Sequence, residues 1–117
     1  MNFGVIGFGY WGPNVVRNLA SLEGSQVVAI AEVNPAARIR AQKAYPGVLV
    51  TPFASEVIGS ADIDAVAIVT PVWTHYELVK AALENGKHVF VEKPFTSSTA
   101  QGEELINLAQ QKKLFSG

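Results

Sequence analysis

The sequence contains no cysteine. That absence removes disulfide frameworks, thiolate zinc sites, iron–sulfur clusters and cysteine nucleophiles, and it fits a reducing cytoplasm. Charge is sparse as well: nine Lys plus Arg stand against ten Asp plus Glu, and charged residues make up 16% of the chain. A net charge of −1 offers a polyanion no general attraction, so neither nucleic acid nor a membrane surface is expected as a partner. Nor is there an apolar run of the roughly 18 residues that a membrane helix needs. The apolar stretch 65–69, bounded by Asp64 and Thr70, has the size of a buried strand. No basic leader precedes the apolar start, the first cation being Arg17, so no secretory signal is visible and cytoplasmic residence is the expectation. The two histidines, His75 and His88, have no second ligand at metal spacing, so no metal site is expected.

What remains is 117 residues, 49% of them hydrophobic, enough for one domain with its own core. Short apolar segments alternate with segments of helical period. Residues 2–6 form a strand that runs into the glycines of 7–12, and Val15, Val16, Leu19 and Leu22 then repeat at helical spacing over about 11–22, closed by Gly24. A second strand over 26–31 meets Asn34-Pro35, an N-cap followed by a proline in the first helical turn, and a second helix over 35–44. A short strand at 48–50 and one or two helical turns at 53–58 follow. Then come a strand over 64–70, a helix over 74–85 stopped by Gly86, and a strand over 87–92 that Pro94 ends. Ser98 and Gln101 have capping-box spacing before a last helix, and residues 114–117 read as the start of a sixth strand. Strict alternation with apolar, non-alternating strands predicts an α/β domain: a doubly wound parallel sheet covered by helices on both faces, the Rossmann arrangement.

In such a sheet ligands bind outside the carboxyl ends of the strands, so the residues at those ends carry the chemistry. Gly7-Phe8-Gly9-Tyr10-Trp11-Gly12 is a G-x-G-x-x-G placed after a strand and opening a helix. Gly7 permits the tight turn, Gly9 lets a pyrophosphate approach the backbone, and Gly12 lets helix and strand pack closely; the alternative is a glycine turn kept only as a connection. Glu32 stands about 20 residues beyond Gly12 at the end of the second strand, where a carboxylate accepts from adenosine ribose hydroxyls and repels a 2′-phosphate. NAD is therefore favoured over NADP, although Arg38 and Arg40 on the next helix leave a phosphate partner open. Tyr10 and Trp11 either cover a cofactor, contact a partner or pack on the neighbouring loop. Lys93, after Val89, Phe90 and Val91, is either a solvated strand end or an ammonium emerging from the core to hydrogen-bond a substrate oxygen, with Glu92 orienting it. His75 opens a helix beside the Thr70-Pro71 turn, and His88 reads as structural.

The glycine loop, the 31–35 segment Ala-Glu-Val-Asn-Pro, the start of the 64–66 strand, Thr70-Pro71 and above all the 86–94 segment Gly-Lys-His-Val-Phe-Val-Glu-Lys-Pro resemble the Gfo/Idh/MocA oxidoreductases, the relatives of glucose-fructose oxidoreductase and inositol dehydrogenase. The resemblance covers essentially the whole chain. It implies a domain that binds NAD(H) or NADP(H) through Gly7, Phe8, Gly9, Tyr10, Trp11, Gly12, Glu32 and Asn34, with Thr70, Pro71, His75 and Glu92 along the cleft and Lys93 near the substrate hydroxyl. The implied reaction is hydride transfer between nicotinamide and a hydroxyl-bearing carbon of a sugar, sugar nucleotide or cyclitol. Family members continue into a second domain that supplies the substrate pocket and usually the oligomer interface. This chain is accordingly expected to be the cofactor half, inactive alone, with a homo-oligomer as a further expectation. The competing readings are a non-catalytic NAD(H)-sensing module and a degenerate scaffold with no ligand.

Overall fold

A computed structural model of the chain describes residues 1–9, 12–91 and 98–112. Five strands, β1 (Asn2–Ile6), β2 (Gln26–Ala31), β3 (Leu49–Thr51), β4 (Ala65–Ile68) and β5 (His88–Val91), form one parallel sheet in the order β3-β2-β1-β4-β5. The helices between and after them are α1 (Gly12–Ser21), α2 (Pro35–Ala44), α3 (Ala54–Ile58), α4 (His75–Glu84) and α5 (Thr99–Gln111). The reversal of strand order falls between β1 and β4, the switch point at which a doubly wound sheet opens a crevice.

Alternation along each strand divides the core into two layers. Ile6, Ala29, Ala31, Val66 and Ile68 face one way and join Val57, Val79, Leu83 and Leu105 of α3, α4 and α5. Val5, Ile30 and Ala67 face the other way and join Val16 of α1 and Ala41 of α2. Both faces of the sheet are therefore buried, which is why the strands read as continuous apolar runs and not as an alternation of polar and apolar residues.

The strands are shorter than their apolar runs suggest, yet their ladders continue past the ends. Asp64 N–H donates to the Asn2 carbonyl (2.9 Å), His88 N–H to the Asp64 carbonyl (3.1 Å) and Val69 N–H to the Ile6 carbonyl (2.8 Å). The helix expected from residue 74 is preceded by a single 3-10 turn, Val72–Thr74, because Pro71 (φ −57°, ψ 151°) lies outside the helical region and the chain must tighten before α4 begins. Ser98 caps α5 by accepting from Gln101 N–H at 3.2 Å, as the spacing of the two residues predicts. The sixth strand expected at 114–117 lies outside the described residues. Among the described residues no helix is long and apolar enough to cross a membrane.

Candidate functional site

The carboxyl rim is built first by the turn after β1. Gly7 N–H still bonds the Ala31 carbonyl (2.8 Å), and the chain then turns through φ +106° at Gly7, a region open to glycine. A Cβ at Gly7 would stand 2.8 Å from the Val69 carbonyl oxygen, and one at Gly12 would stand 2.5 Å from the Gly7 carbonyl oxygen. Those two positions bring α1 down onto the strand end. Gly9 differs from both: it is exposed, and among the described residues, its chain neighbours aside, no atom lies within 4 Å of where its Cβ would be. The first turn of α1 carries no acidic side chain, so no carboxylate of its own offsets the positive end of its dipole. Phe8 takes part through its backbone, because its ring is buried in the core and meets Tyr45 edge-on at 6.4 Å.

Glu32 joins this turn to the next one. Its Oε1 accepts from Phe8 N–H at 2.7 Å and its Oε2 from Asn34 N–H at 2.8 Å. Asn34 in turn caps α2, its Oδ1 accepting from Ala37 N–H at 3.0 Å. A carboxylate offers about four lone-pair sites, so two backbone donors fix its orientation and leave acceptor capacity for ligand hydroxyls.

The third arm of the rim follows β4. His75 is only 6% exposed, and its Nε2 lies 2.8 Å from the Thr70 carbonyl. A carbonyl only accepts, so Nε2 carries the proton. Thr74 Oγ1 donates its single proton to the Pro71 carbonyl (2.6 Å), which makes Thr70 the donor in the 2.6 Å Thr70–Thr74 hydroxyl pair. His75 and Thr74 thereby lock the Thr70-Pro71 turn from behind.

Between the three arms lies a small cleft of about 80 Å³, open to solvent. Ile6, Ala31, Val33 and Pro52 form apolar walls, and Glu32 and Thr70 supply the polar groups. Residues 7–9, 32–34 and 70–75, distant in sequence, are thus brought to one edge. Tyr10, Trp11, Glu92 and Lys93, also singled out from the sequence, lie outside the described residues. Among those described, no three His, Asp or Glu side chains gather as a metal-ligand set.

The chain matches the family model for the Gfo/Idh/MocA oxidoreductases, NAD-binding Rossmann fold, over residues 1–116. It belongs to that family. It is 34% identical over 119 residues to UDP-N-acetylglucosamine 3-dehydrogenase of Acidithiobacillus ferrooxidans, an alignment covering 97% of this chain and 35% of the relative. Among solved structures, scyllo-inositol dehydrogenase from Lactobacillus casei with bound NAD(H) and scyllo-inositol superposes with a TM-score of 0.90 at 32% identity, covering all of this chain and 35% of that one. Biliverdin reductase from Synechocystis, in complex with biliverdin and NADP+, gives a TM-score of 0.93 at 28% identity over 98% of this chain and 36% of its own. The chain spans about a third of the length of these relatives.

The residues present fit an NAD-type group: an exposed glycine, a helix whose first turn carries no acid, and a carboxylate with acceptor capacity beside an apolar cleft. Two cations are spent on the protein's own backbone, one beside the site and one at the opposite edge of the sheet. Arg38 does not reach outward but donates to the carbonyls of Glu32 and Val33, and Lys87 is buried with its ammonium on the carbonyls of Ser60 and Ile63. Neither partner is signalled by local sequence.

Proposed function

We propose that the carboxyl rim binds the adenosine half of NAD(H) against Glu32 and that the chain is the cofactor-binding part of a dehydrogenase acting on a sugar, sugar nucleotide or cyclitol. The observation that carries this reading is the Glu32 carboxylate, held by the N–H groups of Phe8 and Asn34 with lone pairs left over beside the cleft. Gly9 leaves room for phosphate oxygens, and the N–H groups of the first turn of α1 donate to them. Thr70 and Pro71 line the nicotinamide side, held rigid by Thr74 and His75. When bound, the nicotinamide supplies hydride transfer at its C4. Lys93 is assigned the task of hydrogen-bonding the substrate oxygen and passing its proton, with Glu92 beside it in sequence as its orienting partner.

The relatives named for inositol and for a sugar nucleotide support a polyol substrate class, and their greater length supports a substrate pocket and an oligomer interface formed by a further domain. In this reading the protein works in the cytoplasm, and the 117 residues alone bind the cofactor without turning over a polyol. Incubation of the chain with NAD and myo-inositol, scyllo-inositol or UDP-N-acetylglucosamine is expected to give no rise in NADH absorbance, and a steady rise would contradict the division of labour. In a protein of the family's full length carrying this sequence, Lys93→Ala is expected to lower kcat by roughly 10²–10⁴-fold with NADH affinity unchanged. Unaltered turnover would instead favour a non-catalytic, NAD(H)-sensing module.

A further inference from the structure

Arg38 sits in the first half of α2, and its Nη1 donates to two carbonyls at once, those of Glu32 at 3.0 Å and Val33 at 2.9 Å. These are the carbonyls that close the end of β2. Glu32 N–H is taken by the Thr51 carbonyl (2.9 Å), and the Glu32 carboxylate by Phe8 and Asn34. Main chain and side chain of Glu32 are therefore fixed from four directions, and Arg38 supplies the only cation among them.

The guanidinium is bonded to the carbonyl of Glu32 and not to its carboxylate. Among the described residues the ion pair is Lys80 with Glu104, and none joins Arg38 to Glu32. A guanidinium forked onto the carboxylate would cancel its charge and occupy the lone pairs that ribose hydroxyls need. Held on the carbonyls, it stiffens the turn and leaves the carboxylate negative. Swinging Arg38 toward a 2′-phosphate would break two hydrogen bonds. Arg40 is exposed two positions on, where a helix presents a different face, and so does not take its place.

We propose that Arg38 is a positioning residue for cofactor choice: by pinning the Glu32–Val33 backbone it aims an uncancelled carboxylate at the adenosine ribose, and the site selects NAD(H) over NADP(H). The proposal rests on the dinucleotide reading above. A purely structural arginine would weaken both dinucleotides alike, and a phosphate-binding arginine would weaken NADPH more, so the ratio of the two affinities is the informative quantity.

The test is calorimetric titration of the chain and its variants with NADH and with NADPH, each variant checked for an intact melting transition. Wild type is expected to favour NADH, and Arg38→Met to shrink that preference by about tenfold, chiefly by weakening NADH. Arg38→Lys, whose ammonium also has donors for both carbonyls, is expected to keep most of the preference and to provide the answer should Arg38→Met not fold. In a Glu32→Gln background, where the charge is already gone, Arg38→Met is expected to change the ratio no further, the mark of one residue acting through another. An unchanged ratio in Arg38→Met, a larger loss for NADPH than for NADH, or additive effects of the two substitutions would overturn the proposal. Failure of wild type to bind NADH at all would overturn the dinucleotide reading itself, a result distinct from NADH binding with no role for Arg38.

Discussion

At the amino rim of the sheet, Asn2, Asp64 and Lys87 turn their side chains onto backbone groups, whereas at the carboxyl rim Gly7, Glu32 and Thr70 border an open cleft. Asp64 Oδ2 accepts from Asn2 N–H (2.8 Å), Asn2 Nδ2 donates to the Asp62 carbonyl (2.9 Å), and Gln26 Nε2 donates to Asn2 Oδ1 (2.8 Å). Lys87, 6% exposed, spends its ammonium on the carbonyls of Ser60 and Ile63. All five strands begin at one rim and end at the other, so the same ladder geometry feeds both. The difference is that polar side chains at the amino rim are consumed by the protein, while the carbonyl-facing turns of the carboxyl rim keep a carboxylate, a helix end and space available. In the proposed reading, stability is served at one edge of the sheet and binding at the other.

That division can be broken most severely at Gly12, where close packing and the glycine turn meet. Gly12→Val places a Cβ 2.5 Å from the Gly7 carbonyl oxygen, a backbone atom that cannot step aside, so α1 must lift from β1. A loss of about 3 kcal/mol or more is expected in urea unfolding, together with loss of NADH binding. Gly9→Val separates the two rims instead. Its side chain meets none of the described residues beyond its chain neighbours, so the melting temperature is expected to stay within about 3 °C of wild type while NADH affinity falls at least ~100-fold. Lys87→Met is the reverse case. It strands two carbonyls at the amino rim, which is expected to cost about 2 kcal/mol in urea unfolding. NADH affinity is expected to be unchanged, and a concurrent loss of binding would mean that the rims are coupled.

The smallest effect belongs to the clasp between α4 and α5, away from both rims. Tyr76 Oη donates to Glu104 Oε2 (2.5 Å), and Lys80 Nζ donates to Tyr76 Oη and pairs with Glu104, both at 3.3 Å. Bonding to Tyr76, and then to Lys80, holds the Glu104 carboxyl below its ordinary range; Tyr76 and then Glu104 hold the Lys80 ammonium above its own. A depressed acid stabilises above its ordinary value and loses that contribution as pH falls through the folded one. A raised base stabilises below its ordinary value and loses it as pH rises. The clasp is therefore fully present between 4.5 and 10.5. Because these groups are exposed, Glu104→Gln is expected to lower the melting temperature at neutral pH by no more than about 2 °C, the difference vanishing in acid. Differential scanning calorimetry across pH checks it.

Much of this was legible from local pattern. The buried run at 65–68 has no polar alternation because helices cover both faces; Gly86, at positive φ, follows the cap of α4 where the sequence places it, and Gly24, also at positive φ, sits in the turn after α1, which stops at Ser21. Glu32 was legible through its distance from the glycine loop. Its partners were not, since the Phe8 contact spans 24 residues and exists only once β1 and β2 pair in register. Arg38 reads as a candidate phosphate ligand because local sequence gives its charge and not its target, a pair of carbonyls five and six residues back. The bonds of Lys87 were not legible for the same reason: the carbonyls of Ser60 and Ile63 belong to a distant connection that the sheet brings beneath it.

Amide hydrogen exchange with and without saturating NADH tests most directly the proposal that a dinucleotide is held at the carboxyl rim. Slowed exchange is expected at residues 7–9, 32–34 and 69–72, with 24–26, 60–64 and 86–88 unchanged. Protection at the amino-rim segments, or none at either edge under saturating NADH, would contradict it.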